Sequence, residues 1–166
     1  MGLITEAATQ NRISQLLFTA ADQNYGAIQV GDALAPINNM GGTTAQPYQT
    51  QSGFVVQEVI SDTKTGFKLS IYKNDITNEV LVVPNGSDGW NAQDWASNLL
   101  YLGQNQWDGN KQAVFDSLNN YVSADTKIYI GGQSLGGALA QFLAVDYVNQ
   151  QLAANPAYNA SNVALA

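Results

Sequence analysis

The sequence predicts an α/β fold: a mixed, largely parallel sheet with helices flanking it. Three observations carry this. Two strand-like segments joined by a turn come first, and strand and helix segments alternate after them. The run Val80-Leu81-Val82-Val83 is continuously apolar, as expected of a strand covered on both faces. The helical segments repeat their apolar residues at a period near 3.6.

The elements follow in order. Residues Thr5 to Asp22 form a first helix, with Ala8, Ile13, Leu16, Leu17 and Ala20 at roughly helical spacing. Residues Gly26 to Ser52 are rich in Gly, Pro, Asn, Gln and Thr and read as irregular surface chain, with a turn at Gly41-Gly42. Strands are expected over Phe54–Ile60 and Phe67–Tyr72, joined by the turn Asp62 to Gly66. A second turn, Asn74 to Asn78, leads into a strand over Glu79–Val83. A short helix over Trp90–Leu100 should give way to a looser stretch through Gly109. Lys111–Val122 then forms a helix with Val114, Phe115, Leu118 and Tyr121 on one face. Lys127–Ile130 is a short buried strand, and Leu135–Leu152 a long helix with Leu139, Phe142, Leu143 and Tyr147 inward. Asn155-Pro156 ends that helix, and Asn162–Ala166 begins another strand. Residues 1–166 are expected to form one domain, with 1–52 a leading helix and irregular segment.

Composition excludes several functions. The net charge is −7, with five Lys and the single Arg12. Nucleic-acid binding needs Lys and Arg to displace counterions, so no such partner is expected, nor docking on anionic lipid heads by charge. The chain has no Cys and no His, which removes disulfides, thiolate metal sites and the commonest zinc ligand. No metal or cofactor is called for. No apolar run is long enough to span a membrane, and the N-terminus lacks the basic start and apolar block of a signal peptide. An uncharged lipid or other ester remains open as a substrate. The acidic, Cys-free composition would suit export without an N-terminal signal.

The chemistry-bearing motif is Gly132-Gln133-Ser134-Leu135-Gly136, a G-x-S-x-G. An apolar β-rich run precedes it and an amphipathic helix follows, which is the setting of a nucleophile elbow. The turn from strand to helix is tight enough to strain the nucleophile's backbone. Gly132 and Gly136 lack the Cβ atoms that would clash there. Ser134 is thereby the candidate nucleophile, at a helix N-terminus whose free N–H groups favour a developing oxyanion. The N–H of Leu135 is the first donor. The bland alternative is a Gly-rich strand–helix turn with an idle serine.

The run Gly132-Gln133-Ser134-Leu135-Gly136-Gly137-Ala138-Leu139-Ala140 resembles the fungal-type (class 3) lipases, whose elbow usually reads G-H-S-L-G-G-A-L-A. Only Gln133 departs, and the His it replaces is not the base of the catalytic triad. A second likeness lies upstream. In that family an apolar strand ends in Arg-Gly-Ser or Arg-Gly-Thr and a W-x-x-[DN]-L helix follows. Here Val82-Val83-Pro84-Asn85-Gly86-Ser87 and Trp95-Ala96-Ser97-Asn98-Leu99 stand in those places, with Asn85 for the usual Arg and an unusual Pro84. The resemblance implies an α/β-hydrolase fold, Ser87 as the second oxyanion residue and residues 88–100 as a lid. An ordinary Asn-Gly turn and a fixed helix with core tryptophans are the competing readings. The likeness covers roughly Gly53 to Ala166; residues 5–52 fit only as a leading helix.

A serine hydroxyl needs a base. In α/β-hydrolases the order is Ser, then Asp or Glu, then His. After Ser134 there is one acid, Asp146, expected to be a solvated helix residue, and no His. The resemblance places both missing groups beyond the strand that begins at Asn162, so the domain is expected to be cut short before its last strands and completed by further C-terminal sequence. The reading is a serine ester hydrolase of lipase type, inactive as residues 1–166 alone. The alternatives are a non-catalytic module that kept the hydrolase scaffold, or an acyltransferase or peptidase built on it.

Overall fold

The computed structural model of the protein describes residues 7–35, 53–86 and 95–166. Helix α1 spans Ala7–Asn24. Three strands follow, β1 Val55–Asp62, β2 Phe67–Asn74 and β3 Glu79–Pro84. Helix α2, Trp95–Tyr121, leads to β4, Lys127–Ile130. Helix α3, Leu135–Ala154, is followed by a 3-10 turn over Ala160–Asn162 and by β5, Val163–Leu165. The five strands form one mixed sheet in sequential order. β1, β2 and β3 pair antiparallel, and β3, β4 and β5 pair parallel. The hairpin-then-crossover order of the sequence thus becomes the order of the sheet.

The two turns of the hairpins are set by side chains that mimic the backbone. Asp62 accepts the amide of Lys64 (2.9 Å) and the hydroxyl of Thr65 (2.8 Å). Asn74 Oδ1 accepts the amides of Ile76 and Thr77, and Asn78 closes its turn at φ 52°, a region Asn tolerates.

Every residue of β3 is buried, and its side chains alternate between two apolar layers. Val80 and Val82 face α2 and α3, where Trp107, Val114, Phe115, Leu118, Leu139, Leu143 and Tyr147 cover the sheet. Leu81 and Val83 face α1 and its Ile13, Leu16, Leu17 and Ala20. Two buried faces explain why β3 reads as an unbroken apolar run.

Two expectations fail. The looser stretch through Gly109 is instead the middle of α2, which runs unbroken for 27 residues. Gly103 is where α2 meets α3: a Cβ there would lie 3.4 Å from the side chains of Leu135 and Phe142. Trp107, one turn on, is fully buried, stacks edge-on against Phe115 and donates its indole N–H to Asp146 at 2.8 Å. A buried aromatic of roughly 150–250 Å² at about 25 cal/mol per Å² outweighs the ~1 kcal/mol that each helical glycine costs. Asp146 is accordingly half-buried and hydrogen-bonded, not solvated as expected. No helix among the described residues is long and apolar enough to cross a membrane.

Candidate active site

The strand–helix junction after β4 has the predicted elbow geometry. β4 ends at Ile130, and α3 begins at Leu135. Ser134 between them adopts φ 59° and ψ −124°, one of two positive-φ residues other than glycine among the described residues. That conformation costs on the order of 1–3 kcal/mol and persists only where the surroundings enforce it. The surroundings do so by crowding. A Cβ on Gly132 would lie 2.6 Å from the carbonyl of Gly136, and one on Gly136 would overlap the carbonyl oxygen of Pro84 and lie 2.9 Å from the carbonyl carbon of Asn85. Two backbones therefore meet where only glycine fits.

The Ser134 side chain is exposed and makes no capping hydrogen bond. The amides of Gly136 and Gly137 are used by the carbonyls of Gln133 (3.0 Å) and Ser134 (2.9 Å). The amide of Leu135 opens α3, where an α-helix offers no internal acceptor. A donor with a positive helix end behind it thus sits directly after an exposed hydroxyl.

The end of β3 packs against this junction. Asn85 is 6% exposed; its amide donates to Lys68 O (2.9 Å) and its Nδ2 to Asn24 O (3.0 Å). A Cβ on Gly86 would overlap the Tyr25 hydroxyl and lie 2.9 Å from the carbonyl of Gln133. The Asn-Gly turn after β3 is therefore pressed against the elbow. Ser87, and the lid segment 88–94, lie outside the described residues; residues 95–100 are the first turns of α2.

Sequence reasoning missed the polar cluster beneath this turn. The Lys68 ammonium donates to Asn24 O at 2.5 Å and to Gly26 O at 3.3 Å. Asn24 is fully buried; its Nδ2 donates to Val83 O (3.0 Å) and its Oδ1 accepts the Tyr72 hydroxyl (2.7 Å). Burial pushes the Tyr72 phenol well above its ordinary range, so it stays a donor. The one signal available in the sequence was an Asn-x-Gly at the end of a predicted helix, a common stop.

The remaining ionisable candidates lie elsewhere. Asp146 is held by Trp107 on α3, some eleven residues and roughly 17 Å of helix from Leu135. Lys127 is exposed at the opposite end of β4 from the elbow. Among the described residues no group of three or more His, Cys, Asp or Glu could hold a metal ion.

A parallel strand, a glycine-flanked serine at positive φ and a helix starting at the next residue define the nucleophile-elbow arrangement of α/β-hydrolase folds. The chain belongs to the family described as Lipase (class 3), which it matches over residues 46–166. Solved structures agree at the level of the fold. A Penicillium cyclopium structure, the N225Q mutant of MDLA, superposes with a TM-score of 0.66 at 18% identity, covering 97% of this chain and 62% of that one. The native Rhizomucor miehei lipase propeptide complex superposes with a TM-score of 0.65 at 16% identity, covering 97% of this chain and 52% of that one. The chain thus spans little more than half the length of these structures. No curated protein sequence matches it.

Proposed function

We propose that this chain carries the nucleophile half of a serine ester hydrolase of lipase type. The observation that supports it most is the Ser134 backbone: a left-handed serine, exposed, held by two glycines that no other residue could replace, at the mouth of α3. In the reaction the Ser134 Oγ–acyl carbon bond forms as its proton goes to a base. The carbonyl oxygen becomes an oxyanion, held by the N–H of Leu135 and by Ser87. The tetrahedral species collapses, the C–O bond to the alcohol breaks, and the alcohol leaves with that proton. Water then repeats the sequence on the acyl-enzyme.

Residues 1–166 contain no His, so a histidine base for Ser134 would have to come from outside them. Residues 1–166 on their own should bind the acyl group and hold the serine without appreciable turnover. An uncharged ester or lipid suits a chain of net charge −7. Activity-based labelling tests the reading. A fluorophosphonate should modify Ser134 in the full-length protein and fail on Ser134→Ala; equal labelling of both would overturn it.

The absence of His also supports a second reading, a binding module that retained the hydrolase scaffold. It predicts that the full-length protein takes up a fluorescent fatty ester yet is never labelled at Ser134.

A further inference from the structure

Lys68 belongs to no motif, and its ammonium reaches the turn beside Ser134 only through other residues. It is the second residue of β2, at the sheet end where β3 stops; the neighbouring Leu69 pairs with Pro84. Its two acceptors, Asn24 O and Gly26 O, lie at and just beyond the C-terminal end of α1. A cation there satisfies orphan carbonyls and meets the negative end of the helix dipole. Asn24 O is shared: it also accepts Nδ2 of Asn85. The ammonium therefore orients the carbonyl on which the Asn85 side chain hangs.

Asn85 in turn is held unevenly. Its Nδ2 is bonded, while its Oδ1 is buried with no hydrogen-bond partner among the described residues. A buried orphan acceptor costs about 1–3 kcal/mol, and the fold keeps it because the backbone on either side is fixed. Before it, Pro84 O and the Asn85 carbonyl press on Gly136; after it, Gly86 presses on the Gln133 carbonyl. The bond from Nδ2 to Asn24 O is thus the side chain's single tie, and Lys68 sits behind it.

We infer that Lys68 is a positioning residue for the elbow: acting through Asn24 and Asn85, it holds the Asn85–Gly86 turn against the backbone of Gln133 and Gly136. The inference rests on the reading of Ser134 as nucleophile. Removing the ammonium leaves Asn24 O held by Asn85 alone and lets the Asn85–Gly86 turn drift from the elbow, which weakens transition-state stabilisation and leaves ground-state binding intact.

The test uses the full-length protein and a p-nitrophenyl alkylphosphonate, which modifies the serine once and so separates binding from reaction. Lys68→Met keeps the apolar stem and removes the donors. Its maximal rate of modification should fall about tenfold with half-saturation unchanged, and Lys68→Arg should recover most of it. In the same variant the Asn85 amide, which donates to Lys68 O, should exchange with solvent at least about tenfold faster, while those of Leu81 and Val82 keep their protection. Asn85→Ala cuts the same tie from its other end and should reproduce the rate loss should the Lys68 variant fail to fold. Wild-type exchange at the Asn85 amide in Lys68→Met would overturn the inference, as would faster exchange with an unchanged modification rate. If the phosphonate never reaches Ser134 in the wild-type protein, the nucleophile reading fails instead, and the exchange measurement alone decides whether Lys68 holds the turn.

Discussion

Helix α1 is tied to the sheet by polar groups at both of its ends, and the two ties are built differently. Near its start, Arg12 makes a bidentate pair with Glu79, the first residue of β3, at 3.1 and 2.7 Å. The carboxylate also accepts the Thr77 hydroxyl (2.7 Å) and the Tyr129 hydroxyl (3.4 Å), so both oxygens are satisfied. Near its end, Asn24 joins Lys68 and Asn85 at the last residues of β3, where one acceptor is orphaned and the adjoining elbow holds a strained serine. One end of β3 is finished and the other is left under tension. Strain collects at the end proposed to do chemistry, and the satisfied opposite end anchors the strand that carries it.

Crowding at the strained end should give the largest effect. Gly136→Ala drives a methyl into the Pro84 carbonyl and the Asn85 backbone, neither of which can rotate away. A loss of about 3 kcal/mol or more is expected in chemical denaturation. A loss below about 1 kcal/mol would mean that the elbow and the β3 end are not locked together.

Breaking the satisfied end should cost less. Arg12→Ala leaves Glu79 buried with only hydroxyl partners, but the Arg12 side chain is itself 44% exposed. That reduces the ~3–5 kcal/mol typical of a fully buried pair to about 1–2. Burial pushes the Glu79 carboxyl up, and the hydrogen bonds from Arg12 and Thr77, with the Arg12 charge, outweigh it and hold the carboxyl below its ordinary value. A depressed folded-state value stabilises above the unfolded value of 4.5 and loses that contribution as pH falls through the folded one. The melting temperature should therefore drop below about pH 4.5 in the wild type, with a shallower drop in Arg12→Ala. Parallel acid profiles would remove the ion pair from the account.

The smallest effect should have the opposite sign. Ser134→Gly relieves the φ of 59° and should stabilise the protein by about 1 kcal/mol while abolishing fluorophosphonate labelling. A destabilised Ser134→Gly would show that the serine is not strained, and the contrast between the two ends would lose its basis.

Much of the frame was legible in the sequence because it rests on local pattern. The apolar run of β3, the period-2 strands around the Asp62 turn and the glycines flanking Ser134 each carry their reason within a few residues. The helix α2 was misread because Gly103 and Gly109 argue locally against a helix, and what overrules them is Trp107 packing on α3, 39 residues from its partner Asp146. The polar cluster was invisible for the same reason. Lys68 and Asn24 are 44 positions apart, and nothing in either neighbourhood marks them as partners.

The succession of strands, the burial of β3 and the place of the motif proposed to carry chemistry follow from the sequence alone, because hydrophobic period and glycine spacing are short-range quantities. Only the tertiary structure decided what holds that motif in shape. The strain at Ser134 and the orphaned acceptor of Asn85 both arise where the ends of β3, β4 and α1 converge, and no single segment contains the atoms that do the pressing.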